Sequence, residues 1–171
     1  VRGKTVGMSG PTPATRCLTA ASEDATARIA ARLGAGLGAG DVVLLSGPLG
    51  AGKSAFARAL IQSRLAALGR MEDVPSPSFT LVQTYDLGAV MLWHADLYRL
   101  GDPQECIELG LDEAFETAIC LVEWPDRLGP LLPPGALHLQ ITPDPETEAR
   151  TLRFHGDAAR WGARLAEGFA R

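Results

Sequence analysis

The sequence predicts an α/β fold, and three successive features near the middle of the first half carry that expectation. Asp41-Val42-Val43-Leu44-Leu45-Ser46 is an apolar run of strand length. It leads into Gly47-Pro48-Leu49-Gly50-Ala51-Gly52-Lys53-Ser54, which spells Gly-x-x-x-x-Gly-Lys-Ser. Residues 53–68 then carry apolar side chains at helical spacing, with Phe56, Leu60 and Ala67 on one row and Ala57, Ile61, Leu65 and Leu68 on the next.

The turn between strand and helix has a chemical meaning. Glycines at 47, 50 and 52 let the backbone approach an anion closely. The loop from Gly47 through Pro48, Leu49, Gly50 and Ala51 to Gly52 can then wrap phosphates at the positive end of the following helix. Lys53 would set a point charge on the β- and γ-phosphates, and the Ser54 hydroxyl would ligate Mg²⁺. Glycine is abundant here, so two fixed glycines carry little information. Lysine is scarce: Lys4 and Lys53 are the whole complement, and one falls on the motif position. The loop is therefore a candidate nucleotide site.

The rest of the chain follows in order. Residues 1–14 mix Gly, Pro, Ser and Thr without periodicity and read as a tail, leaving 15–171 as one domain. Thr15–Leu18 reads as a short strand. Ser22 can cap a helix whose first turn holds Glu23 and Asp24, with Ala25, Ile29 and Leu33 on one face. The glycines of 34–40 are expected to stop it. After the second helix, Pro75 and Pro77 forbid helix and favour an extended path through Ser76–Phe79. Thr80–Tyr85 and Val90–His94 read as a hairpin about Asp86-Leu87-Gly88. Short helical stretches follow at Pro103–Leu109 and Asp112–Phe115, then an apolar strand at Ala118–Val122. A Pro/Gly-rich link at 129–135 separates it from strands at Ala136–Thr142 and Arg150–His155. Asp157 can cap a last helix with Trp161, Leu165 and Phe169 on one stripe, which reads as core.

Composition bounds the class. With 171 residues, 46% hydrophobic and 21% charged, the chain suits one globular domain. A net charge of −4 argues against a surface built to neutralise a nucleic-acid backbone. Cys17, Cys106 and Cys120 are odd in number and form no C-x-x-C pair, so reduced thiols are expected. No apolar run reaches spanning length and no signal-like segment opens the chain, which together suggest a cytoplasmic protein.

A bound triphosphate with its metal needs carboxylates, and these usually stand at strand ends beside the loop. Asp96 and Glu123 both follow apolar strands. Either could ligate Mg²⁺ while the other orients the attacking water; a solvated strand end is the ordinary alternative for each. The Ser76–Thr80 segment could sense a γ-phosphate or serve only as a proline-stiffened connection. His94, His138 and His155 share no metal-like spacing and read as structural. Trp124 could pack near a nucleotide or fill a turn.

Several motifs together resemble one family. Beside the phosphate loop stand Ser76-Pro77-Ser78-Phe79-Thr80-Leu81-Val82, His94-Ala95-Asp96-Leu97-Tyr98-Arg99-Leu100, Glu108-Leu109-Gly110-Leu111 and Leu121-Val122-Glu123-Trp124-Pro125. In this order, over about residues 18 to 155, they resemble TsaE, the bacterial ATPase subunit of the machinery that makes N6-threonylcarbamoyladenosine in tRNA. The resemblance implies a single P-loop NTPase domain with a mixed parallel and antiparallel sheet, ATP as nucleotide, and TsaD and TsaB as partners. It implies that TsaE resets the synthase formed by those subunits between turnovers. It also implies Mg²⁺ held by Ser54 and Glu123, hydrolysis dependent on Asp96, and a nucleotide-proximal position for Thr26. Ser78 and Ser54 stand where the family more often has Thr; both hydroxyls survive.

Two other readings compete. A small-molecule kinase would share the loop, but an Arg-rich lid is expected of one, and only Arg99 occurs between Asp96 and Arg127. A nucleotide-gated binding module without turnover would also suit the proline-flanked hydroxyl loop. No arginine is evidently placed for a transferring phosphoryl group, though Arg127 could act in cis, so slow hydrolysis raised by partners is expected.

Overall fold

The computed structural model describes residues 12–170. Its strands are β1 (Pro13–Ala20), β2 (Val42–Ser46), β3 (Val82–Asp86), β4 (Met91–Asp96), β5 (Ile119–Glu123), β6 (Leu137–Pro143) and β7 (Arg150–Asp157). They form a single sheet in the order β1-β7-β6-β2-β5-β4-β3. The central strands β6, β2, β5 and β4 run parallel. Antiparallel pairings add β3 beside β4 on one flank, and β7 then β1 on the other. The mixed sheet is thus the one expected.

Helices cover both faces. On one lie α1 (Glu23–Ala35), α2 (Lys53–Ala67) and α5 (Ala163–Gly168), packed on Val43, Leu45, Leu92, Leu121 and Leu139. On the other lie α3 (Gln104–Glu108) and α4 (Leu111–Thr117), packed on Val42, Leu44, Cys120 and Val122. Successive residues of β2 therefore enter opposite cores, which is why that strand must be apolar throughout.

The local chemistry agrees at several points. Ser22 Oγ accepts from the Ala25 amide at 3.1 Å and caps α1. Asp157 accepts from the Arg160 amide and starts a π-helical turn, Ala158–Gly162, ahead of α5; Trp161, Leu165 and Phe169 are all buried. The β3–β4 hairpin forms as expected. Asp41 fastens the C-terminal segment to the start of β2 by accepting from Arg160 at 3.0 Å and from Arg164 at 2.5 Å. Burial pushes the Asp41 carboxyl up, but Arg164, the Gly38 amide and Arg160 outweigh it and hold the group below its ordinary value.

Other boundaries differ. β1 begins at Pro13, inside the stretch expected to be tail; residues 1–11 lie outside the described residues. Proline is tolerated there because β1 is an edge strand. α1 continues through Gly34, which packs directly on Leu60 of α2. Ala67 and Leu68 lie at the exposed end of α2 and not in the core row. The link after β5 holds 3-10 turns over Pro125–Leu131, broken at Gly129. Cys17, Cys106 and Cys120 are free thiols, and burial pushes Cys120 up to about 12. No helix among the described residues is long and apolar enough to cross a membrane.

Candidate functional site

The loop Gly47–Gly52 joins the C-terminal end of β2 to the first turn of α2. Gly47 lies against the neighbouring β6, where a Cβ would come within 2.6 Å of the Ile141 carbonyl oxygen. The loop closes through the Ala51 amide, which donates to the Pro48 carbonyl at 3.0 Å. Lys53 folds back over it, donating to the Gly47 carbonyl at 2.6 Å and the Pro48 carbonyl at 2.9 Å. Its ammonium also sits 4.2 Å from the centre of the Trp124 ring. Burial pushes this lysine below its ordinary value, against the opposing pull of Glu123 and Asp96. The charge is held over the loop by carbonyls and an aromatic face, groups that an incoming phosphate can displace.

The carboxylates arrive from the adjacent strands. Leu92, His94 and Asp96 alternate onto the α2 face of β4, as Ile119, Leu121 and Glu123 do on β5. In register, Asp96 stands beside Glu123 at the C-terminal ends of both strands. Ser54, in the first turn of α2, donates to Glu123 Oε1 at 2.7 Å. The other oxygen, Oε2, lies 2.7 Å from His94 Nε2, with His94 1% and Glu123 2% exposed. Asp96 accepts from the Tyr98 amide at 3.1 Å and, more loosely, from Ser78 Oγ at 3.4 Å. Ser54 and Glu123 thus present a pair of hard oxygen donors of the kind that suits a small divalent cation. No group of three His, Cys, Asp or Glu side chains that could hold a metal occurs among the described residues. One carboxylate, one hydroxyl and ligand oxygens are how Mg²⁺ is commonly held at phosphates.

Leu49, Gly50, Gly52, Lys53, Ser54, Ser78, Asp96, Glu123 and Trp124 therefore line one open cleft. Pro48 and Ala51 complete the loop beneath it. Ser78 reaches the cleft from the proline-flanked segment, which ends in Leu81 at φ 65°, a left-handed conformation costly for leucine. Trp124, at φ 56°, is a second such residue, directly after Glu123. Phe79 is 84% exposed beside the cleft, under the Arg99 guanidinium at 4.7 Å.

Two other residues weighed from the sequence do not line the cleft. Thr26 is buried in α1 with its hydroxyl donated to the Ser22 carbonyl at 3.2 Å, and it does not line the cleft. Arg127 is exposed on the 3-10 turn and does not line it either. His94, which read as structural, is bonded directly to a cleft carboxylate. The signal for it was its spacing of two from Asp96, which puts both on one face of a strand.

A parallel strand, a glycine loop with its lysine and serine, and strand-end carboxylates on a mixed sheet define the P-loop NTPase fold. Residues 20–152 match the family model described as "Threonylcarbamoyl adenosine biosynthesis protein TsaE". Relatives named tRNA threonylcarbamoyladenosine biosynthesis protein TsaE include one from Rickettsia conorii, 38% identical over 120 residues, or 70% of this chain and 67% of the relative. Another, from Treponema pallidum, is 37% identical over 119 residues, covering 69% of this chain and 84% of the relative. The crystal structure of Bacillus subtilis YdiB superimposes with a TM-score of 0.74 at 28% identity, over 93% of this chain and 97% of that one. The chain belongs to the TsaE family.

Proposed function

We propose that the chain binds ATP with Mg²⁺ in this cleft and hydrolyses it slowly, in the cytoplasm, as the ATPase of tRNA threonylcarbamoyladenosine formation. Its partners on this reading are TsaD and TsaB, whose synthase it resets between turnovers. The observation that carries the reading is the 2.7 Å bond from Ser54 to Glu123 at the mouth of the phosphate loop. It joins the hydroxyl and the carboxylate that a nucleotide-bound metal requires.

The roles follow from the chemistry of each group. Lys53 exchanges the Gly47 and Pro48 carbonyls for β- and γ-phosphate oxygens. Ser54 and Glu123 would hold the metal, and His94 fixes the carboxylate from behind. Bound Mg²⁺ would neutralise charge on the β- and γ-oxygens. Asp96 orients a water and accepts its proton as the oxygen attacks the γ-phosphorus. The bond from that phosphorus to the bridging oxygen breaks, and ADP leaves with the oxygen. Ser78 donates to the γ-phosphate when its segment is ordered.

Slow turnover is expected because Arg127 does not line the cleft and Arg99 stacks on Phe79. A transition-state arginine, or a partner that completes the site, is worth roughly 10³–10⁵ in rate. The test is steady-state phosphate release by the chain alone and with TsaD and TsaB. A low rate raised by the two partners is expected; fast release that ignores them would contradict the reading.

A further inference from the structure

On the flank of the phosphate loop away from the carboxylates stands an arginine with an unused donor. Arg150 opens β7, and in the sheet β7 and β6 lie on one side of β2 while β5 and β4, with Glu123 and Asp96, lie on the other. Its guanidinium packs on Gly52, the residue before Lys53. A Cβ built on Gly52 would lie 2.8 Å from Arg150 Cζ and 3.3 Å from Nε, with Nη1 nearer still. Gly52 itself, at φ 103°, lines the cleft.

The Arg150 side chain is only 13% exposed, and Nη2 stands at 3.5 Å from Glu23 Oε1, on a carboxylate side chain that is 77% exposed. Nη1 is enclosed and has no hydrogen-bond partner among the described residues. An enclosed guanidinium with an idle donor is unfavourable in the empty protein, because desolvation is not matched by a bond. Its position puts that charge against the loop whose amides would meet phosphate. Arginine also suits phosphate well, since its planar fork donates in fixed directions.

We infer that Arg150 is a second cation of the phosphate site, binding the diphosphate common to ATP and ADP through its charge and its free donor. The inference rests on the nucleotide reading of the cleft. Lying opposite Glu123, Asp96 and Ser78, Arg150 serves binding and not turnover, so it holds ADP as firmly as ATP. Arg150 does not itself line the cleft in the empty protein; giving up its weak pairing with Glu23 lets the guanidinium turn past Gly52 toward the phosphates.

The test is calorimetric titration of the full chain with ADP and with ATP·Mg²⁺, using wild type, Arg150→Met and Arg150→Lys. Each empty protein is also melted. Arg150→Met is expected to bind both nucleotides roughly tenfold more weakly or worse, equivalent to about 1.4 kcal/mol. Arg150→Lys recovers part of the loss, since it keeps the charge but not the planar fork. Empty Arg150→Met melts no lower than wild type, since the idle buried charge is gone. Wild-type affinity in Arg150→Met overturns the inference. So does a weakened variant whose empty form melts well below wild type, because that marks a structural brace. Wild type that binds neither nucleotide defeats the cleft reading itself, whereas equal binding by wild type and Arg150→Met defeats the role of Arg150 alone.

Discussion

Replacing His94 with leucine would remove the donor that fixes Glu123 while nearly preserving buried volume. His94 Nε2 and Glu123 Oε2 are 2.7 Å apart, and the two side chains are almost fully enclosed. A hydrogen bond to a charged group contributes about 1.5–3 kcal/mol, and water cannot replace this one. His94 Nδ1 has no partner among the described residues, so the ring is held in place through Nε2. With Oε2 held there, Oε1 is the oxygen left to face Ser54. Loss of such an outer partner commonly weakens metal affinity by roughly 10–100-fold. The expected result for His94→Leu is therefore a rise of about 10–100-fold in the Mg²⁺ concentration needed for half-maximal ATP binding. His94→Gln, whose amide can still donate, should fall between. Calorimetric ATP titrations across a Mg²⁺ series read this directly, with a denaturant melt to show that each variant is folded. An unchanged Mg²⁺ dependence in folded His94→Leu would refute the reasoning that Glu123 is aimed from behind.

Three further outcomes are expected. Glu123→Ala should weaken the Mg²⁺ dependence of nucleotide binding, whereas Asp96→Ala should spare binding and lower phosphate release; normal behaviour in both would remove the carboxylates from the site. Ser78→Ala should leave ATP affinity within about twofold and reduce kcat, as loss of a contact made only in the transition state does, and binding kinetics with single-turnover release separate the two. Asp41→Asn should lower stability by about 1–3 kcal/mol at neutral pH, less than breaking a fully buried pair, because Arg160 and Arg164 are 41% and 35% exposed. Asp41 sits below its ordinary value of 3.8 in the folded chain, so its contribution is complete above that value and fades as pH falls through the lower folded value. Urea melts at descending pH should then show a steeper acid loss in wild type than in Asp41→Asn.

Legibility in the sequence followed how local each interaction is. The phosphate loop, the Ser22 cap, the β3–β4 hairpin and the Trp161–Leu165–Phe169 stripe were readable because each depends on residues a few positions apart. Glu123 and Asp96 were readable as acids closing apolar strands. The sheet order was not, since it is set by contacts between distant segments. The same limit hid the partners of single side chains. His94 meets Glu123 only because β4 and β5 are parallel neighbours in one register. Arg150 meets Gly52 across the width of β6, at a sequence distance that no motif spans. The bond of Thr26 was hidden likewise: a hydroxyl in a helix can turn back to its own preceding turn, here to the Ser22 carbonyl. Pro13 in β1 read as tail because residues 1–14 mix Gly, Pro, Ser and Thr without periodicity, although an edge strand accepts a proline.

The nucleotide reading is tested most directly by calorimetric titration of ATP·Mg²⁺ into wild type and Lys53→Ala, with circular dichroism confirming that the variant is folded. Among the described residues, Lys53 donates only to the Gly47 and Pro48 carbonyls of its own loop, and it faces the Trp124 ring. Its removal should leave the backbone in place and take away the charge that meets the phosphates. Saturable binding by wild type that is lost in folded Lys53→Ala is the predicted result, and equal binding by the two proteins would contradict it.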